Sequence, residues 1–341
     1  MSNTKIKNYF FYFLLLCFVA IILELFCFTI YKLNPAFIFD WHFDRSAFDQ
    51  TYKSSSPYGW ISPEPMPRPA NFKGHECAVS FGDSFTFGEE VQQSETWEDQ
   101  ASSILSCKIS NYGVGGFGLD QTVLLYEGLA PKSELVLVGL YPEMMKRNVA
   151  ASWIFYGSLK DKPLKPYFTI DTQSKALQQI PMPDSDAIEK LKAYHREDLY
   201  FQAYDIKFPY SLHAIKAPLI RARQILAKRI DFLRDSKVNE IQLGLLNRFR
   251  ASIHQNQAKP AFIVFPSHPE IIKGQFIYLG QLLADKALTP EDCIINPGPE
   301  LHHALKNNQK IFAPAGHFNQ LGNLIVANVV ATQLRNCKLL K

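Results

Sequence analysis

The stretch Cys77–Val91, CAVSFGDSFTFGEEV, starts apolar, turns through Gly82-Asp83-Ser84 and then becomes polar. A serine inside a core strand is usually inert. A serine at the carboxyl end of a strand sits where a parallel sheet opens onto its ligand crevice, and there its hydroxyl can serve as a nucleophile. Which description fits Ser84 decides how the whole chain reads.

Outward from that turn the chain alternates. CAVSFG reads as a first strand, TWEDQASSILS (Thr96–Ser106) as a helix capped by Ser94 or Thr96, and KISNYGV (Lys108–Val114) as a second strand. Asp120–Ala130 carries apolar residues at helical spacing. Ser133–Tyr141, SELVLVGLY, is a continuous apolar run of the kind found where helices cover both faces of a sheet. AFIVFP (Ala261–Pro266) and CIIN (Cys293–Asn296) add two more strands, and a last helix begins near Gln320. The alternation predicts an α/β fold with a doubly wound, mostly parallel five-stranded sheet, flavodoxin-like, with helices on both faces. The pattern breaks over about 146–240, which reads as an insertion: a hairpin in LKPYFTIDTQSKALQQIPMP (Leu164–Pro183), then helices over 185–204 and 212–235.

Tyr9–Tyr31, YFFYFLLLCFVAIILELFCFTIY, is nearly all apolar and long enough to cross a bilayer, which takes roughly 20 residues. Only Glu24 interrupts it, either as a contact for a partner helix or as an acid tolerated in the outer half of the span. Lys5 and Lys7 precede the span, which favours a cytoplasmic N-terminus and an exported body. The apolar run exceeds that of an ordinary cleaved signal peptide and no Ala-x-Ala site follows, so an uncleaved anchor is expected. Residues 1–31 then form the anchor, 32–70 a linker that becomes an extended packing segment, and 71–341 the α/β body. In the helix over 212–235, Lys216, Arg221, Arg223, Lys228, Arg229 and Arg234 surround an apolar stripe. A membrane-surface helix and an ordinary solvated face fit that pattern equally.

Of the six cysteines, Cys17 and Cys27 lie in the span and Cys77, Cys107, Cys293 and Cys337 in the body. There is no Cys-x-x-Cys pair and no His/Asp/Glu cluster at metal-ligand spacing, so no metal is expected. Cys77 and Cys107 each open a strand; a disulfide and buried thiols both remain open. A net charge of +4 without a basic run argues against a nucleic-acid partner.

Three segments carry a resemblance. GDSFTFG (Gly82–Gly88) follows the first strand, NYGVGGFGLDQ (Asn111–Gln121) the second, and GHFNQLGN (Gly316–Asn323) precedes the final helix. Their order and spacing resemble the SGNH hydrolase superfamily, the GDSL esterases and lipases, over about residues 58–335. The resemblance implies a serine esterase in which Ser84 attacks an ester and His317 moves the proton. The backbone N–H groups of Ser84 and Gly116 would hold the oxyanion. Asp83 would brace the turn, and Asn111 and Asp120 would be structural parts of the second block. GVGGFG fits a dinucleotide loop poorly, and no cofactor is expected.

Two family roles lack a visible occupant. Glu143 or Met144 stands where an asparagine should reach the oxyanion, and neither an ionised carboxylate nor a thioether donates a hydrogen bond. Pro314 and Ala315 stand where an aspartate should orient His317. Three arrangements follow: a Ser–His dyad with two backbone donors; an acid supplied from another loop by Glu143, Asp292 or Glu300; or a catalytically degenerate fold that binds glycan or a partner protein. His302 and His303 read as helix-surface residues, and His268 as a strand-end residue able to line the crevice. The expectation is a membrane-tethered esterase or O-acyltransferase facing the envelope, acting on an ester-bearing small molecule or glycan such as an O-acetylated polysaccharide. A membrane acyltransferase is a further candidate partner, through Glu24 and the basic helix.

Overall fold

A computed structural model of the chain describes residues 3–33, 57–61, 65–151, 165–171, 173–182, 208–228 and 231–340. They fall into two compact units. The first unit takes in 1–51, 157–162 and 183–230, and its described elements are α1 (Asn3–Leu33) and α6 (Tyr210–Lys228). The second takes in 52–156, 163–182 and 231–341. The helix expected over 185–204 lies outside the described residues.

In the second unit, β1 (Glu76–Phe81) leads through α2 (Ser84–Phe87) and α3 (Trp97–Leu105) to β2 (Lys108–Asn111), then through α4 (Leu119–Leu129) to β3 (Leu135–Leu140) and α5 (Glu143–Asn148). A hairpin follows, β4 (Tyr167–Ile170) against β5 (Leu177–Ile180), where the sequence placed one. After α7 (Ser236–Gln255) come β6 (Lys259–Val264), α8 (His268–Lys273), α9 (Ile277–Ala284), β7 (Cys293–Ile295), α10 (Gly298–Lys306) and α11 (Gln320–Asn336).

Five strands pair in parallel in the order β2-β1-β3-β6-β7. β3, Leu-Val-Leu-Val-Gly-Leu, is buried along its whole length, as both-face coverage by helices requires. Ala78, Ile109, Leu137, Ile263 and Ile295, one from each strand, share a core with Trp97 and Ala101 of α3 and Val326 and Val330 of α11. The helices start where short polar side chains supply the first turn with acceptors: Thr96 accepts from Asp99 N, Asp235 from Lys237 N and Val238 N, and Asn319 from Gly322 N. Reversal of the strand order between β1 and β3 makes their carboxyl ends the crevice of such a sheet. Ser84 stands just past the end of β1.

Both body cysteine pairs are disulfides. Cys77–Cys107 ties the start of β1 to the residue before β2, and Cys293–Cys337 ties β7 to the end of α11. The second pair was not foreseen, because nothing in the sequence shows that a terminal helix returns beside the edge strand.

Candidate active site

The chain leaves β1 through Gly82 into the four-residue α2. Asp83 caps that turn, its carboxylate accepting from Phe85 N at 3.1 Å. The turn is packed tightly: a Cβ on Gly82 would stand 2.1 Å from the Thr86 hydroxyl and 3.2 Å from the Gly139 carbonyl. The loop after β2 presses against it. Asn111 Nδ2 donates to the Thr86 carbonyl at 2.8 Å, and a Cβ on Gly113 would lie 2.3 Å from Phe87 N. The two glycine-rich segments are therefore one interlocked structure that fixes where the Ser84 hydroxyl points.

His317 arrives from the loop between α10 and α11. Its Nε2 lies 3.0 Å from Ser84 Oγ, and its Nδ1 lies 3.0 Å from Glu90 Oε2. Glu90 also accepts from the backbone N–H of Ala315 at 2.7 Å and of His317 at 3.1 Å. Partial burial pushes the Glu90 carboxyl up, but these donors and the imidazole outweigh it and its pKa is lowered. An ionised carboxylate only accepts, so Nδ1 carries the proton it donates to Glu90. Nε2 is left with its lone pair toward the serine, the arrangement a general base needs.

The acid thus comes from none of the three places the sequence offered. Glu143 is paired with Lys146 at 2.8 Å, and Asp292 with Arg250 at 2.9 Å. Glu300, in the first turn of α10, lines a separate cavity with His303 and Asn328. Glu90 sits six residues after the nucleophile, in the nucleophile's own loop, with φ of +69°. Left-handed backbone is uncommon outside glycine and marks a position held by its surroundings. Arg68 does the holding: it donates to the carbonyls of Phe87 at 2.6 Å, Gly88 at 3.0 Å and Val91 at 3.1 Å, and its guanidinium lies 4.4 Å over the Phe87 ring. The Gly-Glu-Glu run was legible; that it curls back to the histidine was not.

Ser84, Phe85, Tyr141, Glu143, Arg147, Ala315, Gly316 and His317 line a crevice of about 350 Å³. Phe85 is its floor, with ring centroids 4.3 Å from Tyr141 and 5.1 Å from His317. Arg147, unremarked in the sequence, donates to Asp83 at 2.9 Å and to the Phe117 carbonyl at 2.8 Å. Burial pushes the Asp83 carboxyl up, and the Arg147 charge opposes this. Asn148, the asparagine nearest the expected oxyanion donor, is committed elsewhere. Its Oδ1 accepts from Leu119 N at 2.7 Å, and its Nδ2 donates to Gln242 at 2.6 Å. Gly116 has φ of +76° and is not among the crevice residues. The carboxylate of half-exposed Glu89 lies 3.5 Å from His317 Nε2 and 3.4 Å from where a Cβ on neighbouring Gly115 would stand. Asp120 is buried against Lys165, a structural role.

Of the remaining histidines, His268 opens α8 with its ring 4.1 Å from that of Phe312, His302 Nδ1 meets the Ile271 carbonyl at 2.6 Å, and His303 meets Asn307 at 2.9 Å. Among the described residues no group of three or more His, Cys, Asp or Glu is placed to hold a metal ion.

A strand-end Gly-Asp-Ser, a C-terminal histidine on its hydroxyl and the strand order 2-1-3-6-7 now stand together. These features are the ones on which the sequence resembles the SGNH hydrolases, and the fold is a doubly wound α/β sheet. Several solved structures are similar to the chain at low identity. A member of the lipolytic protein G-D-S-L family from Veillonella parvula matches at 12% identity and TM-score 0.36, covering 75% of this chain and 96% of that one. An alpha/beta hydrolase enzyme from the metagenome of Lake Arreo matches at 11% and 0.40, covering 78% and 98%. An acetyl xylan esterase from the rumen bacterium Butyrivibrio proteoclasticus matches at 12% and 0.35, covering 77% and 65%. No family model and no curated protein matches the chain.

Proposed function

We propose that the protein is a membrane-tethered serine esterase or O-acyltransferase whose nucleophile is Ser84. The observation that carries this reading is the unbroken relay Ser84–His317–Glu90, with both contacts to the imidazole at 3.0 Å. Ser84 Oγ gives its proton to His317 Nε2 as it attacks the carbonyl carbon of an ester. The negative oxygen that results would take the backbone N–H of Ser84 as a donor; Gly116, which does not line the crevice, would have to turn its N–H toward it to add a second. His317 passes the proton to the departing alcohol oxygen, leaving an acyl group on Ser84. Water, or a sugar hydroxyl, then repeats the sequence in reverse. A crevice of about 350 Å³ with an aromatic floor suits a short acyl group such as acetyl on a glycan.

Two features support an exported body behind an uncleaved anchor. The apolar helix Ile6–Leu33 is long enough to cross a bilayer, and both body disulfides belong to an oxidising compartment. Within the first unit, Glu24 of α1 accepts from the backbone N–H groups of Tyr210 and Ser211. A segment discarded at export would have no use for such a contact.

The deciding experiment treats the full chain in detergent with a fluorophosphonate probe and reads intact mass beside a Ser84→Ala control. One adduct per chain, lost in the control, is expected. A folded wild-type chain that takes no adduct would end the esterase reading and favour a crevice that only binds.

A further inference from the structure

We propose that α6 is a second membrane element, lying in the outer leaflet boundary with its apolar face in lipid. The inference deepens the anchor reading above and rests on it.

The span Ile6–Leu33 has 28 residues, with its midpoint between Val19 and Ala20. At about 1.5 Å per residue, Glu24 lies about 7 Å outward of that midpoint. A hydrocarbon core about 30 Å thick then leaves its carboxylate about 8 Å inside the outer boundary. A carboxylate at that depth needs a partner within the membrane, and the protein supplies the start of α6. Tyr210 N and Ser211 N donate to the two carboxylate oxygens, the second at 2.9 Å. These are N–H groups that a helix start cannot pair internally, and the positive end of the helix dipole faces the acid. The Tyr210 ring packs 5.1 Å from Phe28 and 5.3 Å from Tyr31. On α1, Glu24, Cys27, Ile30 and Tyr31 are shielded while their neighbours are exposed, one stripe at helical spacing. Neither helix could hold this contact with α6 wholly out in water.

The exposed face of α6 shows the same thing. Leu212, Ile215 and Leu219 recur at helical spacing and are 42%, 68% and 73% exposed, and Phe208, just before the helix, is 74% exposed. Three large apolar side chains left bare along one stripe call for an apolar medium. The medium already touching α1 at that level is lipid. Lys216, beside the stripe and exposed, is placed to reach headgroup phosphates. Interfacial helices bury their apolar faces roughly 5–10 Å into the headgroup–acyl boundary, which matches the depth at which Glu24 fixes the start of α6. The partner is therefore a bilayer surface, and anionic headgroups are favoured.

The test uses the full chain in nanodiscs containing anionic lipid, with a nitroxide at one cysteine and collision rates read against oxygen and against a water-soluble nickel chelate. In a Cys27→Ser chain, the label on native Cys17 reports whether α1 spans: high oxygen and negligible nickel access are expected. In a Cys17→Ser/Cys27→Ser chain, labels at Ile215→Cys and Leu219→Cys should show oxygen access exceeding nickel access several-fold. Nickel access equal to that of a label on the exposed Lys237→Cys would overturn the proposal, as would exclusion of both reagents, which means a protein covers the face. A Cys17 label open to nickel would instead defeat the anchor reading itself.

Discussion

Glu24 and Glu90 do nearly the same thing in two different units, and only one of them reaches an imidazole that meets a serine. Each gathers two backbone N–H groups on one carboxylate: Tyr210 and Ser211 on Glu24, Ala315 and His317 on Glu90. Glu24 closes the start of a helix, where the Ser211 side chain adds a further hydrogen bond, and all its partners belong to that helix start. Glu90 accepts a third hydrogen bond, from an imidazole whose other nitrogen meets a serine hydroxyl. The shared backbone contacts are what any partly covered acid needs. The added partner converts a cap into an orienting and charge-stabilising group. A glutamate's role is thus set less by its own burial than by what its last free oxygen lone pair faces.

The contrast can be broken most strongly at Glu90. Glu90→Gln keeps the shape and removes the charge, and Ser84 labelling should slow by about 10²–10⁴-fold, as loss of a triad acid does elsewhere. Acid should imitate the substitution. Because the Glu90 pKa is lowered by folding, its contribution is complete above the ordinary carboxylate value of 4.5 and disappears as pH falls through the lowered value. Labelling rates of wild type and variant should therefore converge at the acid end, provided circular dichroism shows both still folded.

Next in size is Arg68, which acts on the relay through the loop that carries Glu90. Arg68→Ala should cost roughly 10–100-fold in labelling rate, the scale of a small misplacement of a reacting group. Arg68→Lys should recover little, since one ammonium cannot span the three carbonyls that the guanidinium holds. Equal rates for all three chains would show that the loop keeps its shape unaided.

Glu24 sharpens the comparison from the other side. Glu24→Ala should leave Ser84 labelling unchanged and speed amide exchange at the start of α6, with a cost of about 1 kcal/mol, typical of a lost helix cap. The smallest effect belongs to Glu98, buried at the start of α3 with one oxygen on Ser80 at 2.9 Å and the other without a hydrogen-bond partner among the described residues. Burial holds its pKa well above 4.5, so the folded chain binds a proton the unfolded chain releases, and stability drains away as pH rises above that value. Glu98→Gln removes this slope. Melting temperatures of variant and wild type should differ in the variant's favour by a margin that grows from pH 5 to pH 8, as measured by differential scanning fluorimetry.

Much of this was legible from the residues. Periodicity placed the five strands, and the final helix begins at Gln320 as read. Ser84 was singled out by its Gly-Asp-Ser turn at a strand end and His317 by the resemblance of its segment to the SGNH superfamily, and the structure sets the two 3.0 Å apart. Glu90 and Arg147 did not, because their roles depend on where loops fold back. Nothing in local spacing records a contact between residues 90 and 317, or between 83 and 147. Asn148 was hidden for a related reason: its amide satisfies backbone on α4, so having the expected residue type nearby did not give it the expected duty.

The segment before β1 carries a last consequence. Tyr58 takes a hydrogen bond on its carbonyl from Gln121, Trp60 donates to the Gly115 carbonyl, and Arg68 clasps the Glu90 loop. These residues precede the first strand, yet they finish the working parts behind it. A protease that cut ahead of Pro57 would release a body with every one of these contacts. One that trimmed to residue 71 would release a sheet with its serine in place and its acid adrift. Under the proposed function, where the chain is cut therefore determines whether the released piece keeps its relay assembled or loses it.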